Sequence, residues 1–232
     1  MFRSFLTLAS AFAALLLATV GAQAQPRQPQ SAPASAAANG IRVSEAFPYL
    51  DRYYGIPAGE RSLFHVSYTI RQGGRPFTGR AWYLDAQNNR TPVPLSSEGE
   101  VGRLPTLAQL RDSRFRLQAD LPPGSRVGMG LTVEPNLRPA AQLNAGDLTA
   151  VINQVNSALR SAAGLMRFMV PTMGRIAFVG ARGGEVVMAD GSARPLPTVR
   201  NELSFEPERY PGARGVRFAS APRSMYVARA AR

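Results

Sequence analysis

No cysteine and no lysine occur among the 232 residues, and histidine and tryptophan occur once each, as His65 and Trp82. Without cysteine there is neither a disulfide framework nor a thiolate metal centre, so the fold must rest on apolar burial and backbone hydrogen bonds. The acceptor for a bacterial lipoprotein anchor is missing for the same reason. Without lysine, any lysine-dependent mechanism is excluded. The lone His65 alternates with Phe64, Val66 and Tyr68, which places it on the outer face of a strand, where a structural role is expected. No Gly-x-Ser-x-Gly elbow is present, and Ser192 follows Gly191 in what reads as a hairpin turn. The acids are scattered. Glu98 with Glu100 and Glu206 with Glu208 are the close pairs, and both lie in Gly- or Pro-rich loops as solvated turn acids rather than as carboxylates facing each other across a sugar cleft. Gly128-x-Gly130 sits inside a strand with no helix start behind it, which excludes a phosphate-binding loop. Hence no catalytic, cofactor-binding or metal-binding residue is assigned, and no cofactor is expected.

What the chain does have begins at its N-terminus. Arg3, the apolar run from Phe5 to Val20 and Ala22-Gln23-Ala24 form the pattern of a secretory leader. The run is shorter than the ~20 residues that a membrane-spanning helix requires, so cleavage after Ala24 is expected, leaving no transmembrane span in the mature chain. Residues 25–40, rich in Gln, Pro, Ser and Ala, read as a disordered spacer. The expected location is the periplasm.

The 27 basic residues are all arginine and face 15 acids, a net charge of +12. Ala, Gly, Pro and Arg are abundant together, as GC-rich coding produces, so the number of arginines has a compositional explanation. Where the excess is functional, it attracts anions, and in an envelope these are lipid phosphates, lipopolysaccharide and acidic glycans. Nucleic acid is set aside as a partner, because no two arginines are adjacent and no aromatic–arginine platform appears along the chain. The candidate anion contacts are Arg114 and Arg116, on one face of an expected strand, and Arg214 and Arg217 in the basic C-terminal stretch.

The pattern of elements predicts an α+β, β-rich fold. An antiparallel, sandwich-like N-terminal part is followed by one central amphipathic helix and a smaller antiparallel β part. Residues 41–136 read as a helix-preceded sandwich-like domain and 137–232 as a helix with a small β domain packed on it. A short helix is expected from Ser44 to Tyr54, capped by Ser44, with Pro48 in its first turn. A strand from Ser62 is expected to turn at Gly73-Gly74 and return as Thr78–Asp85. Pro92 and Pro94 mark an edge strand, and Thr106 caps a single helical turn. Gly128 and Gly130 leave bare backbone on one face of a strand, to be covered by another element. Asn144 is expected to cap the central helix and Gly164 to end it, with Leu148, Val151, Ile152, Val155, Leu159 and Ala162 on its apolar face and Asn153 and Asn156 opposite. That face is expected to clasp the two β parts, and Val151, Ile152 and Val155 are its candidate partner-binding residues if it is instead exposed. Beyond it, Ile176–Val179 is expected to turn at Gly183-Gly184 into Glu185–Ala189. Met166, Phe168, Met169 and Met173 read as packing between helix and strand. A faint echo, Tyr83-Leu84-Asp85 with Arg90, Pro92 and Pro94 against Val187–Gly191 with Arg194, Pro195 and Pro197, reads as two hairpins using the same turn residues.

Three functional readings follow. The favoured one is a non-enzymatic module contacting another envelope component. The others are a binder of lipopolysaccharide or anionic lipid through an arginine surface, and a hydrolase that processes glycans with Glu, Tyr and Arg. An enzyme should bring Glu, Tyr and Arg side chains together in one concave pocket, a binding module should show a flat or grooved face, and a polyanion binder should gather its arginines on one surface.

Overall fold

The computed structural model describes residues 40–122, 125, 127–163 and 171–230. The expected leader and residues 25–39 of the expected spacer lie outside the described residues, as do Gly164, Met166, Phe168 and Met169, whereas Gly40 is described and buried. The fold is α+β and strand-rich, with antiparallel sheets on both sides of one long helix.

Strands β1 (Ile41–Arg42), β2 (Phe64–Gln72), β3 (Arg75–Pro76), β4 (Ala81–Leu84), β5 (Arg90–Val93), β6 (Arg116–Ala119) and β7 (Val127–Pro135) make two sheets, in the orders β1-β6-β4-β5 and β3-β2-β7. Alternation along β2 buries Phe64, Tyr68 and Ile70 and exposes His65 and Arg71. The expected return of Thr78–Asp85 beside β2 does not occur. Only β3 pairs back, followed by one bond from Phe77 N–H to Ile70 O at 2.9 Å, before the Phe77 side chain drops into the core. The chain then leaves for the other sheet, and β2 pairs instead with β7 in unbroken register from Phe64 opposite Pro135 to Gln72 opposite Val127. Gly130 lies opposite Thr69, and a Cβ there would come within 2.6 Å of Thr69 Oγ1, so the bare backbone is covered by the neighbouring strand. The edge position expected for Pro92 is that of β5.

Helix α1 (Val43–Ala46) and helix α2 (Leu50–Gly55) stand where one helix is expected. Pro48 disfavours the helical region for Phe47, which is found at φ −114° and ψ 70°, and Tyr49 then turns at φ 69°. Ser44 lies within α1 rather than capping it, and Pro48 lies in the break rather than in a first turn. Helix α3 (Leu107–Arg111) has the capping box of Thr106 and Gln109.

The second half repeats the first. Strands β8 (Gln142–Asn144), β9 (Met173–Val179), β10 (Arg182–Met188), β11 (Ala193–Pro195), β12 (Thr198–Val199), β13 (Glu202–Phe205), β14 (Ala213–Ser220) and β15 (Ser224–Arg229) form sheets in the orders β11-β10-β14-β8 and β12-β13-β9-β15. Each half opens with a short strand, β1 or β8, that pairs with its penultimate strand, β6 or β14. That strand pairs with the first arm of a hairpin, β4–β5 or β10–β11. Helix follows the opening strand in both, and the next strand, β2 or β9, pairs with the last, β7 or β15. On the other flank, β9 pairs with β13, and β2 meets Glu100 and Val101 through the Thr69–Glu100 bridge and the bond from Val101 N–H to Tyr68 O. The echo read as two hairpins with shared turn residues therefore belongs to a repeat of the whole topology. The expected β9–β10 hairpin at Gly183-Gly184 is replaced by a turn at Gly180, φ 73°, after which β10 joins a different sheet. Gly184 sits inside β10, where a Cβ would approach the side chains of Leu196 and Leu203 to 2.8 and 2.9 Å.

Helix α4 (Ala145–Ala163) starts as expected, with Asn144 Oδ1 accepting from Gly146 N–H at 2.7 Å and Asp147 N–H at 3.3 Å. Its apolar face, including Leu148, Val151, Ile152 and Val155, is buried in the core of the second half with Phe178, Val216 and Phe218. Phe64 of the first half joins that core, and Tyr53 packs against both cores. The contact with the first half is polar as well: Gln154 accepts from Leu63 N–H at 2.7 Å and donates to Gly59 O at 3.0 Å. Asn156, expected on the solvated side, is buried and holds Met173 by two bonds, N–H to Oδ1 at 2.8 Å and Nδ2 to O at 2.9 Å. Ile152→Asp places an unpaired charge in the core and is expected to lower stability by on the order of 3 kcal/mol or more. Urea unfolding checks this, and an unchanged midpoint would mean that the face is not core.

Candidate binding face

The register of the β1-β6-β4-β5 sheet sets out its two faces. Ile41, Leu117, Tyr83 and Thr91 align in one row across the four strands, and Arg42, Arg116, Leu84 and Arg90 align in the next. Successive residues of a strand point to opposite faces, and Leu117 and Tyr83 are in the first core, so the arginine row points away from it. Leu84, although covered, belongs to neither core; the stems of Arg116 and Arg90 flank it. The next outward row is Gln118, Trp82 and Pro92. Arg80, whose carbonyl accepts from Asp120 N–H at 2.9 Å, completes the face.

The guanidinium carbons of Arg80 and Arg90 lie 5.7 and 5.5 Å from the centroid of the Trp82 ring, within cation–π range. Arg116 donates to Gly40 O at 3.3 Å, which orients its head group without neutralising it. Two carboxylates are near: Glu45 at 3.8 Å from Arg42 and Asp120 at 3.2 Å from Arg80. Both pairs are largely exposed and hold their partners weakly, so each guanidinium remains available to an anion.

The sequence-derived candidates divide. Arg116 stands in this row. Arg114 precedes β6 and lies 3.7 Å from Asp112. Arg217 donates twice to Glu185 Oε1, from Nε at 2.8 Å and from a terminal nitrogen. Arg214 is exposed at the bulge of β14, between Gly215 opposite Val187 and Ala213 opposite Met188. Thus Arg116 and Arg217 are on equivalent strands of two different sheets. Arg42, Arg80, Arg90 and Trp82 are not among the anion contacts that the sequence points to. Arg42, Arg90 and Arg116 meet through strand partnership, which no local pattern reveals; the alternation around Trp82 was the available signal. Val151, Ile152 and Val155 are buried within the chain's own core, so the face expected either as clasp or as partner surface is closed internally.

Two other polar clusters lie elsewhere. On the β2–β7 ladder, Ser67 Oγ donates to Glu134 Oε1 at 2.5 Å, His65 Nε2 is 3.8 Å from Glu134 Oε2, and His65 Nδ1 is 2.7 Å from Asn136 Oδ1. The carboxylate stands between serine and histidine, so the imidazole does not activate the hydroxyl. Burial, with the nearby Glu134, raises the pKa of Glu100. On the β9–β13–β15 sheet, buried Arg175 donates to Arg229 O at 2.9 Å and Ser204 Oγ at 2.7 Å, and the Tyr226 hydroxyl donates to Glu202. Burial first, then the bond to Glu202, raises the Tyr226 pKa, with Arg175 opposing. Ser192 donates to Asp190 in its hairpin turn. Among the described residues no group of three or more His, Asp or Glu side chains is disposed to hold a metal ion.

Comparison of the chain with protein-family models, curated proteins and solved structures gives no match.

Proposed function

We propose that this protein is an exported, non-enzymatic module of the cell envelope that binds an anionic component through the outer face of the β1-β6-β4-β5 sheet. The observation that carries this reading is the row of Arg42, Arg116 and Arg90 around Leu84, with Trp82 one step along the strands. GC-rich coding accounts for how many arginines the chain has. It does not account for arginines from separate parts of the sequence sharing one face. The leader-like N-terminus supports an envelope location, where phosphate- and carboxylate-bearing surfaces are the abundant anions.

A second reading, a hydrolase built on Glu, Tyr and Arg, is favoured by the convergence of Glu202, Tyr226 and Arg175. The raised Tyr226 pKa keeps its proton at neutral pH, which suits a hydrogen-bond donor and not a nucleophile.

Three outcomes are expected. N-terminal sequencing of the exported chain should find Gln25 first; Met1 retained in the membrane fraction would overturn the assignment to the periplasm. Co-sedimentation with isolated envelope fragments should be strong at 0.1 M salt and lost at 1 M, as the screening length falls from ~10 Å to ~3 Å. Arg42→Gln with Arg90→Gln should weaken it at least tenfold, and binding unaffected by the double change would refute the face. Finally, the purified chain should release no soluble fragments from envelope glycans. Release that disappears in Tyr226→Phe would establish the second reading instead.

A further inference from the structure

Resting on the binding reading above, we infer that the ligand of the β1-β6-β4-β5 face is a linear acidic glycan lying across the strands, its acid groups on Arg42, Arg116 and Arg90 and a sugar ring against Trp82.

The row of arginines runs perpendicular to the strands. Neighbouring strands are about 4.8 Å apart, so Arg42 and Arg116 stand about one strand apart and Arg116 and Arg90 about two, with Leu84 between. One strand spacing is comparable to the length of one sugar ring, so acid groups repeated along a glycan meet successive guanidiniums. Each guanidinium accepts a carboxylate or phosphate in a two-bond fork, which a lysine ammonium does not. Trp82 supplies the other half of the recognition. Its ring lies on the same face, and the apolar C–H face of a pyranose packs on an aromatic ring as other amphipathic groups do. The Arg80 and Arg90 guanidiniums rest over that ring, 5.7 and 5.5 Å from its centroid, so a pyranose packs on it as they turn from the ring to the acid groups.

The same face argues against a membrane as the occupant. Insertion requires large apolar side chains projecting between the cations. Here Trp82 is half-buried and Leu84 is covered, and among the described residues the exposed large hydrophobic side chains are Tyr49 and Leu131, neither of which is on this sheet. The equivalent face of the second half offers no rival site. The row corresponding to the arginines is Asn144, Gly215, Val187 and Ala193, which carries no cation, and in the row corresponding to Gln118, Trp82 and Pro92 the one arginine, Arg217, is already bound by Glu185.

Because Trp82 is the sole tryptophan, its fluorescence reports this site alone. The full mature chain is titrated at 0.1 M salt with oligogalacturonate, with a neutral cello-oligosaccharide of equal length, with phosphatidylglycerol vesicles and with single-stranded oligothymidylate. A saturable change in emission with oligogalacturonate and none with the neutral sugar is expected. By calorimetry, Arg42→Gln with Arg90→Gln should weaken oligogalacturonate at least tenfold, and Trp82→Ala several-fold. Arg217→Gln should change it less than twofold. Circular dichroism confirms that each variant is folded. Binding of vesicles or oligothymidylate with no response to oligogalacturonate would overturn the glycan while leaving an anion-binding face in place. No response to any of the three anions would overturn both. Equal binding of the acidic and neutral sugars would remove the arginines from the recognition and with them this inference.

Discussion

Each half of the molecule is closed by a strand that travels far along the chain to find its partner: β7 returns to β2, and β15 returns to β9. With no cysteine to pin either closure, the ladders must do it, and the rest of the structure hangs from them. The excursion between β2 and β7 holds three of the four strands of a second sheet, β4, β5 and β6, and helix α3. Such an insertion is thermodynamically tolerable because each doubling of a loop adds only ~0.6 kcal/mol of closure entropy. The ladder also sets the position of Phe64, which opens β2 in the first half and is buried in the core of the second. The two halves are therefore joined through Phe64, which shares a core with the apolar face of α4, through Tyr53, Ile56, Leu63 and Val133 packed against that core, and through Gln154.

What was legible in the sequence was local. Asn144 and Thr106 cap their helices because a side-chain oxygen reaches an N–H two or three residues on, which is written in adjacent letters. Pro92 marks an edge because proline lacks a donor wherever it stands. What was not legible was partnership. The turn after Val179 looks like a hairpin, yet β9 and β10 go to different sheets, and β2 ignores the nearest strand for one much later in the chain. Asn156 misled for a related reason. Helical periodicity places it away from Leu148 and Val155, but Met173 at the start of β9 lies over it, and a buried amide that satisfies one backbone N–H and C=O is as much at home in an interior as an apolar group.

The binding face failed to appear in the sequence for the same physical reason. Arg42, Arg90 and Arg116 are unremarkable singly, each in a short exposed or half-exposed strand. They become a row only because β1 pairs with β6, β6 with β4 and β4 with β5. An aromatic–arginine platform is thus present in space where none exists along the chain.

The repeated topology gives a comparison inside one molecule. Equivalent strands carry equivalent rows, and the core-facing ones agree in chemistry: Leu117 and Tyr83 in the first half, Val216 and Val186 in the second, are all buried and apolar. The outward rows differ. Where the first half places Gln118, Trp82 and Pro92, the second places Arg217, Glu185 and Pro195, and there the charge is cancelled by its neighbour. Core rows are constrained by packing in both halves, so their likeness says nothing about ligands. Outward rows carry no such constraint, and codon usage acts on both halves alike. The row that corresponds to Arg42, Arg116, Leu84 and Arg90 is Asn144, Gly215, Val187 and Ala193, which has no arginine, so an open arginine row on one sheet has no counterpart on the other; composition does not produce that difference, and it supports the proposed placement of the binding face in the first half.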